Sequence, residues 1–389
     1  MGWETIHVQC GLDGAVSIAF MGRIHDLHTN EGQSPWLDNL RRGWLHGGEM
    51  QEWIDRGVRG LTSNPSIFAK AMTDTDEYDS DLRKLVGEGK SVDDAYWDLV
   101  VDDIRAATAL LHPVFEASGG EDGYVSVEVS PNLAHETEET IAAARELDTR
   151  LGSPNLYIKV PATVAGIPAI QTLIGEGISV NVTLIFGLGR YAAVMEAYIA
   201  GLETYAAANP EASLDSISSV ASFFISRVDV EVDRRLDDIG SDASAALMGK
   251  AAVANAKLAY QMFEKTFSGP RWEALADRGA RLQRPLWAST STKNPTYPDT
   301  LYVDELIGPD TVNTLPDKTL DAFVDHGTVA RRVDAEVDTA ETIWARLDAV
   351  GVDMDDVAAQ LEREGVASFA DAFDELIEAL EKKADELRG

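Results

Sequence analysis

The stretch Asn155–Thr163, NLYIKVPAT, reads as a buried β-strand with a lysine in its middle. Side chains alternate across a strand, so Leu156, Ile158 and Val160 fall on one side and Tyr157 and Lys159 on the other. A lysine on a strand covered on both faces costs free energy unless it is paired or uncharged. A lone lysine of this kind ordinarily marks an edge strand with its amine in water. Pro161 close behind it, and polar intrusions in other strands, favour another expectation: Lys159 is a reactive amine inside the molecule.

Outward from this strand, short strand-like runs alternate with helical ones from about Ser34 onward. That alternation is the signature of a parallel α/β sheet. The expected strands are Pro35–Asn39, Gly57–Asn64, Tyr124–Ser130, Asn155–Ala162, Ile178–Phe186, Ile217–Ser226, Pro285–Thr290 and Thr311–Leu315. Helices are expected over Asp93–Glu116 (capped by Ser91), His135–Leu151, Gly189–Ala207, Arg227–Ile239 and Ala243–Phe267. Eight strands, each followed by helical sequence, give an α/β fold of the (β/α)₈ TIM-barrel type. An open doubly wound sheet is the rival, but it ordinarily uses fewer strands and a glycine fingerprint at its first turn. The GxGxxA match at Gly187–Ala192 follows the fifth strand instead, and the acid about twenty positions on, Glu203, falls inside a helix. Asn181-Val-Thr183 spells a glycosylation acceptor but lies mid-strand. Three segments are expected: 1–30, an extension of unclear structure; 31–330, the catalytic barrel; and 331–389, an acidic helical appendage packed on the barrel. The appendage holds helices over Ala340–Val350, Met354–Glu364 and Ser368–Leu387.

The chain has 389 residues, with 66 acidic against 33 basic and a formal charge of −33. Such a field repels nucleic acid and anionic membrane surfaces, so neither is an expected partner. The one cysteine, Cys10, fits a reducing compartment. No apolar run is long enough to span a bilayer, and the run Ala15–Phe20 is short for a signal peptide. A cytoplasmic location is expected. Met1–Phe20 has no clear periodicity, which leaves Met21 as an alternative start. Assembly into a homo-oligomer is compatible with the sequence.

Parallel strands covered on both faces normally read as continuous apolar runs. Here Ser126, Glu128 and Ser130 share one side of their strand, as do Ser179, Asn181 and Thr183 of theirs. Ser222 sits on a side with Val220 and Phe224, Thr62 with Asn64, and Asp38 ends the run Trp36-Leu37-Asp38. These residues lie toward the carboxyl ends of the strands, where barrel enzymes place their active sites. Singly, each has a plainer account; Asn64-Pro65-Ser66 reads as a strand-ending turn, and Arg227 and Lys293 as surface cations. Together with Lys159 they outline an internal polar site. An amine shielded from water tends to be neutral, and neutral amines add to ketones to give Schiff bases. The iminium withdraws electrons from the neighbouring carbon–carbon bond, as aldol cleavage requires. Glu128 and Thr183 suit a carboxylate–water relay for imine formation and hydrolysis, and Asp38 suits the proton transfer at the hydroxyl of the breaking bond. Asn64, Asn181 and Ser222 can hold the hydroxyls of a short polyol, and Arg227 and Lys293 a phosphate.

The chain resembles the transaldolases, in particular the longer bacterial kind with an extended carboxyl end. The matching stretches run in order: WLDNL (Trp36–Leu40), GLTSNPSIF (Gly60–Phe68), VSVEVSPNLA (Val125–Ala134), YIKVPAT (Tyr157–Thr163), GISVNVTLIF (Gly177–Phe186), SVASFFISRVD (Ser219–Asp229), RPLWASTSTKNP (Arg284–Pro295) and TVNTLP (Thr311–Pro316). The resemblance implies a barrel of the class I aldolase type that needs no metal or organic cofactor. It implies sugar-phosphate substrates, with a dihydroxyacetone unit passing from sedoheptulose 7-phosphate or fructose 6-phosphate to an aldose phosphate. By position it makes Lys159 the Schiff-base lysine, Asp38 the proton-transfer aspartate, and Glu128 with Thr183 the pair around the catalytic water. Asn64, Asn181 and Ser222 match substrate-holding residues and Arg227 a phosphate-binding arginine. Where shorter members carry a second arginine, this chain has Lys293, a point charge in place of a fork. A free aldolase releasing dihydroxyacetone, and a catalytically silent phosphosugar-binding barrel, are the alternatives.

Overall fold

A computed structural model of the chain describes residues 22–388. The readings made on Cys10, on Met1–Phe20 and on Met21 lie outside the described residues. Eight parallel strands close on themselves in chain order: β1 Gln33–Leu37, β2 Leu61–Thr62, β3 Val125–Glu128, β4 Leu156–Pro161, β5 Val180–Ile185, β6 Ser219–Phe224, β7 Arg284–Ala288 and β8 Thr311–Leu315. This is the expected barrel, and β1 pairs with β8 over five residues to complete it. The β-branched residues that point outward, among them Val125, Val127, Ile158, Val160, Val180 and Val182, are buried beneath the surrounding helices. Inward, the barrel is filled rather than hollow. Tyr157 stacks on Tyr124 at 4.1 Å and on Trp36 at 6.1 Å. Its hydroxyl lies 2.6 Å from that of Ser218. This aromatic layer is the floor beneath Lys159, which comes two residues later on the same strand.

The amino-terminal end of the barrel is closed by a helix at Arg23–Glu31, which buries Ile24 and Leu27; the tail end of the segment expected to be of unclear structure is thus helical. Nearby, a buried carboxylate ties three elements together. Asp122 accepts from Ser34 at 2.5 Å, from Arg59 at 2.6 Å and from Arg284 at 3.0 Å. Burial alone would raise its pKa, but the charges of Arg284 and Arg59 and the hydrogen bonds from Arg59 and Ser34 hold it at about 2, below its ordinary 3.8. A carboxylate depressed in the folded state stabilises the fold above its unfolded pKa and loses that contribution as pH falls through the folded one. Asp122 therefore contributes about 2–3 kcal/mol at neutral pH, lost between about pH 4 and 2. Asp122→Asn leaves two guanidinium groups without a counter-charge and is expected to lower the thermal midpoint by several degrees at pH 7. The gap from the parent should narrow as pH drops below about 4. Unfolding curves of both proteins at several pH values measure it, and a pH-independent gap would refute the assignment.

Most helices follow expectation to within two residues. Val92–Ala117 begins where Ser91 accepts a hydrogen bond from the Asp94 N–H, as the capping signal suggests. Two helical expectations are corrected. Ala243–Phe267 is broken into Asp242–Ala245 and Ala251–Thr266, with Gly249 between them at φ +67°. Conversely, the two carboxyl-terminal helices expected over Met354–Glu364 and Ser368–Leu387 are one helix, Met354–Arg388. Its buried stripe runs Val357, Leu361, Phe369, Phe373, Leu376, Leu380 and Ala384, and Gly365 occupies the fourth-residue place between Leu361 and Phe369. The glycine reads as a break but keeps the phase of the stripe. This long helix packs against Pro65–Thr73, Ser226–Ile239 and β5, and so crosses the carboxyl end of the barrel.

The glycine fingerprint at Gly187–Ala192 has a packing explanation. A Cβ on Gly187 would lie 2.7 Å from the Ala358 Cβ of the long helix, and Arg190 donates to Glu362 of the same helix at 3.0 Å. The motif seats a helix.

Candidate active site

The carboxyl ends of the strands enclose a cavity of about 210 Å³. Its wall includes Asp38, Asn64, Lys159, Thr183, Ser222, Arg227 and Lys293, so seven of the nine expected residues meet there. Strand register explains the centre of it: Glu128 on β3, Lys159 on β4 and Asn181 on β5 are successive partners across the sheet. A larger groove of about 470 Å³ lies between Thr73 and the outer face of the long helix. It is lined by Lys and Glu side chains at the surface and brings no comparable set together.

Lys159 is 5% exposed and Glu128 7%, so both charges are withdrawn from water. The Lys159 Nζ donates to Glu128 Oε2 and to the Ser63 carbonyl, each at 3.0 Å. The amine and the carboxyl form a buried pair, one of the two ways in which a lysine on a covered strand can be accommodated. Burial raises the pKa of Glu128, and the charge and hydrogen bond of Lys159 oppose the rise. A carboxyl so placed is a receptive acceptor for the proton the amine must shed before it can act as a nucleophile. Among the described residues, the buried Thr183 hydroxyl has no protein hydrogen-bond partner. It stands one step above Asn181 on β5 and faces the cavity.

Asp38 follows β1 directly, its N–H fixed by the Leu315 carbonyl of β8 at 2.8 Å. Its carboxyl accepts from Thr62 at 2.7 Å, and Thr62 lies 2.6 Å from the Thr314 hydroxyl. Burial raises the Asp38 pKa, opposed by the Thr62 hydrogen bond and by the charges of Lys159 and Lys293. Two carboxyls of raised basicity thus flank one amine.

The expected polyol-holding residues differ in what they do. Asn64 caps the helix Pro65–Thr73, its Oδ1 accepting from Ile67 N–H at 3.0 Å, and it also lines the cavity. Its amide nitrogen remains for the cavity. Asn181 is wholly buried behind the wall, donating to Ser126 at 3.0 Å and accepting from Ser222 at 2.7 Å. It orients Ser222, whose hydroxyl, its proton committed to Asn181, presents lone pairs to the cavity.

At the opposite rim Arg227 sits at the start of the helix Ser226–Ile239, where the helix dipole also favours an anion. No described group hydrogen-bonds or ion-pairs its guanidinium, which lies over the rings of Phe224 at 5.6 Å and Phe369 at 5.9 Å. Burial lowers its pKa, with Glu364 opposing. Lys293 donates to the Ser291 hydroxyl at 2.7 Å. Its side chain is exposed overall, but its ammonium faces the cavity, where burial and then the charge of Arg227 lower its pKa and Asp38 opposes. Two cations thus converge on one cavity in an otherwise acidic protein, an arrangement that suits an anion. Ser289, between them, holds φ +57°, and Leu184 at the end of β5 holds φ +61°; both are unusual for non-glycine residues. The Leu184 irregularity ends the simple inward–outward alternation read for β5. Strained residues at strand ends around a cavity accord with a functional site.

Sequence reasoning missed three contributors. Thr62 was read as sharing a polar side with Asn64 but carried no assigned role, and Thr314 was quoted only within the stretch TVNTLP. Phe369 had no signal at all, because nothing local in the acidic tail says which residue returns to the barrel.

The sequence model of the family described as Transaldolase/Fructose-6-phosphate aldolase matches residues 35–380. The chain is 52% identical to a transaldolase from Thermobifida fusca over 352 residues, which is 90% of this chain and 95% of that protein. It is 51% identical to one from Frankia alni over 89% of this chain and 93% of that protein. It is 50% identical to Transaldolase 1 of Streptomyces avermitilis over 93% of this chain and 95% of that protein. With its barrel, its buried lysine pair and its matched length, the chain belongs to the transaldolase/fructose-6-phosphate aldolase family.

Proposed function

We propose that the protein is a transaldolase that moves a dihydroxyacetone unit from a ketose phosphate, sedoheptulose 7-phosphate or fructose 6-phosphate, to glyceraldehyde 3-phosphate or erythrose 4-phosphate. The reaction belongs to the non-oxidative pentose phosphate pathway, in the cytoplasm. The observation that carries this reading is the Lys159–Glu128 contact at 3.0 Å, opening on the same cavity as Asp38. Lys159 passes a proton to Glu128 and attacks the C2 carbonyl of the ketose. Glu128, working with Thr183 and a water, returns protons to the departing hydroxyl, so that water leaves and an iminium forms. Asp38 then takes the proton of the C4 hydroxyl; the C3–C4 bond breaks, its electrons flow into the iminium, and the shortened aldose leaves. The acceptor aldehyde reacts with the enamine, Asp38 gives its proton to the new hydroxyl, and water hydrolyses the imine to regenerate Lys159. Asn64 and Ser222 hold the hydroxyls, and Arg227 with Lys293 hold the phosphate, while Asn181 keeps Ser222 in place.

Supplying fructose 6-phosphate and erythrose 4-phosphate tests the reading: sedoheptulose 7-phosphate and glyceraldehyde 3-phosphate are expected. Free dihydroxyacetone in place of sedoheptulose 7-phosphate would make the enzyme an aldolase. For the phosphate end, Arg227→Ala is expected to lower kcat/KM for fructose 6-phosphate by about 10- to 100-fold, the range for losing hydrogen bonds to a charged group. Most of that loss should be in KM, measured by steady-state kinetics; an unchanged KM would remove Arg227 from the phosphate site.

A further inference from the structure

We infer that Phe369, on the long carboxyl-terminal helix, is a positioning residue for substrate phosphate, acting by holding Arg227 over its ring and free of other partners. The inference rests on the reading of Arg227 as the phosphate-binding cation. Phe369 is fifteen residues into a helix that begins well after the last strand, yet it lines the cavity that contains Lys159. It is 7% exposed, and the Arg227 guanidinium lies over its ring at 5.9 Å and over that of Phe224 at 5.6 Å. Both centroid distances are under 6 Å, within the range for cation–π attraction. An arginine held over aromatic faces spends none of its five N–H donors on the contact, which leaves them for a phosphate to take in fork geometry. Most arginines of this acidic chain are claimed by carboxylates; Arg190, Arg234, Arg235 and Arg271 each bond one or two. Aromatic faces hold Arg227 without spending its donors.

The helix also passes close to Arg227 itself. Gly365, one turn before Phe369, passes so close that a Cβ there would lie 3.0 Å from Leu184 Cδ2 and 3.6 Å from the nearer Arg227 nitrogen. The tight approach is to Leu184, while the distance to Arg227 is an ordinary van der Waals contact, so the helix backbone lies directly against the guanidinium. The carboxyl-terminal segment on this view completes the substrate site from above, and does more than stabilise the barrel.

The test compares kcat/KM for fructose 6-phosphate with that for unphosphorylated fructose, both with erythrose 4-phosphate as acceptor. Phe369→Leu keeps apolar volume but removes the π face, and should lower the ratio about five- to tenfold, mainly through KM for the phosphorylated donor. Phe369→Tyr should restore it, and Phe369→Met should behave like the leucine variant. In an Arg227→Ala background Phe369→Leu should lower the ratio no further. Equal losses on both donors, an unchanged ratio, or a full additional loss in the Arg227→Ala background would each overturn the inference. If Arg227→Ala itself leaves the ratio unchanged, the phosphate reading falls and this inference falls with it. If Arg227→Ala lowers the ratio and Phe369→Leu does not, only the role of Phe369 is lost.

Discussion

Lys159→Arg is expected to abolish turnover, by on the order of 10⁴- to 10⁶-fold, the scale seen when a covalent nucleophile is removed. Arginine keeps a positive charge opposite Glu128 and so preserves the electrostatics of the buried pair. It cannot preserve the chemistry, because a guanidinium is too basic to deprotonate and add to a carbonyl. That contrast makes the variant more informative than alanine, which would also leave the buried Glu128 carboxylate unpaired and destabilise the site. The matching positive result comes from the parent enzyme. Borohydride in the presence of fructose 6-phosphate should trap the imine, and peptide mass analysis should place a reduced dihydroxyacetone adduct on Lys159. A parent that gives no adduct is a silent phosphosugar-binding barrel; an adduct on another lysine, or appreciable turnover by the arginine variant, moves the nucleophile elsewhere.

The central residues of this site were legible because of how strands are read. In a parallel barrel the outward face is fully apolar, so a lysine, a glutamate and an asparagine at alternating positions of β3, β4 and β5 stand out against it. Their pairing as lateral neighbours follows from strand register, which the sequence does not display. That Lys159 bonds Glu128 directly depends on that register, which sets the two side by side. Asn181 was read as a substrate contact because its position matched; only packing reveals that Ser126 and Ser222 engage both ends of its amide. The carboxyl-terminal helix was least legible. Gly365 has the local chemistry of a break, and the side chain it approaches most closely, Leu184, lies more than a hundred residues earlier in the chain. Long-range close approaches of this kind leave no periodic trace.

Asp38→Asn should separate the two halves of the reaction. The substitution keeps shape and the hydrogen bond from Thr62 while removing the base, so the imine on Lys159 should still form and be trapped by borohydride. Cleavage of the C3–C4 bond needs a proton acceptor at the C4 hydroxyl, and turnover should fall by about 10²- to 10⁴-fold, the usual contribution of a positioned acid–base group. A variant that loses the adduct along with turnover would place Asp38 in imine formation instead. The pKa direction adds a second, independent readout. Burial raises Asp38 above its ordinary 3.8. A carboxyl whose folded pKa is raised contributes stability fully present below its unfolded pKa and lost as pH rises through the folded one, so at neutral pH the ionised Asp38 burdens the fold. Asp38→Asn removes that burden and is expected to raise the thermal midpoint at pH 7, with the advantage shrinking as pH falls toward the carboxylate range. In the parent, the rate of cleavage should decline on the acid side at a pH above that of an ordinary aspartate, because the base must be ionised to act. A less active and more stable asparagine variant would identify Asp38 as a group kept at the site for chemistry at the expense of stability; a variant that loses both would make it a structural residue.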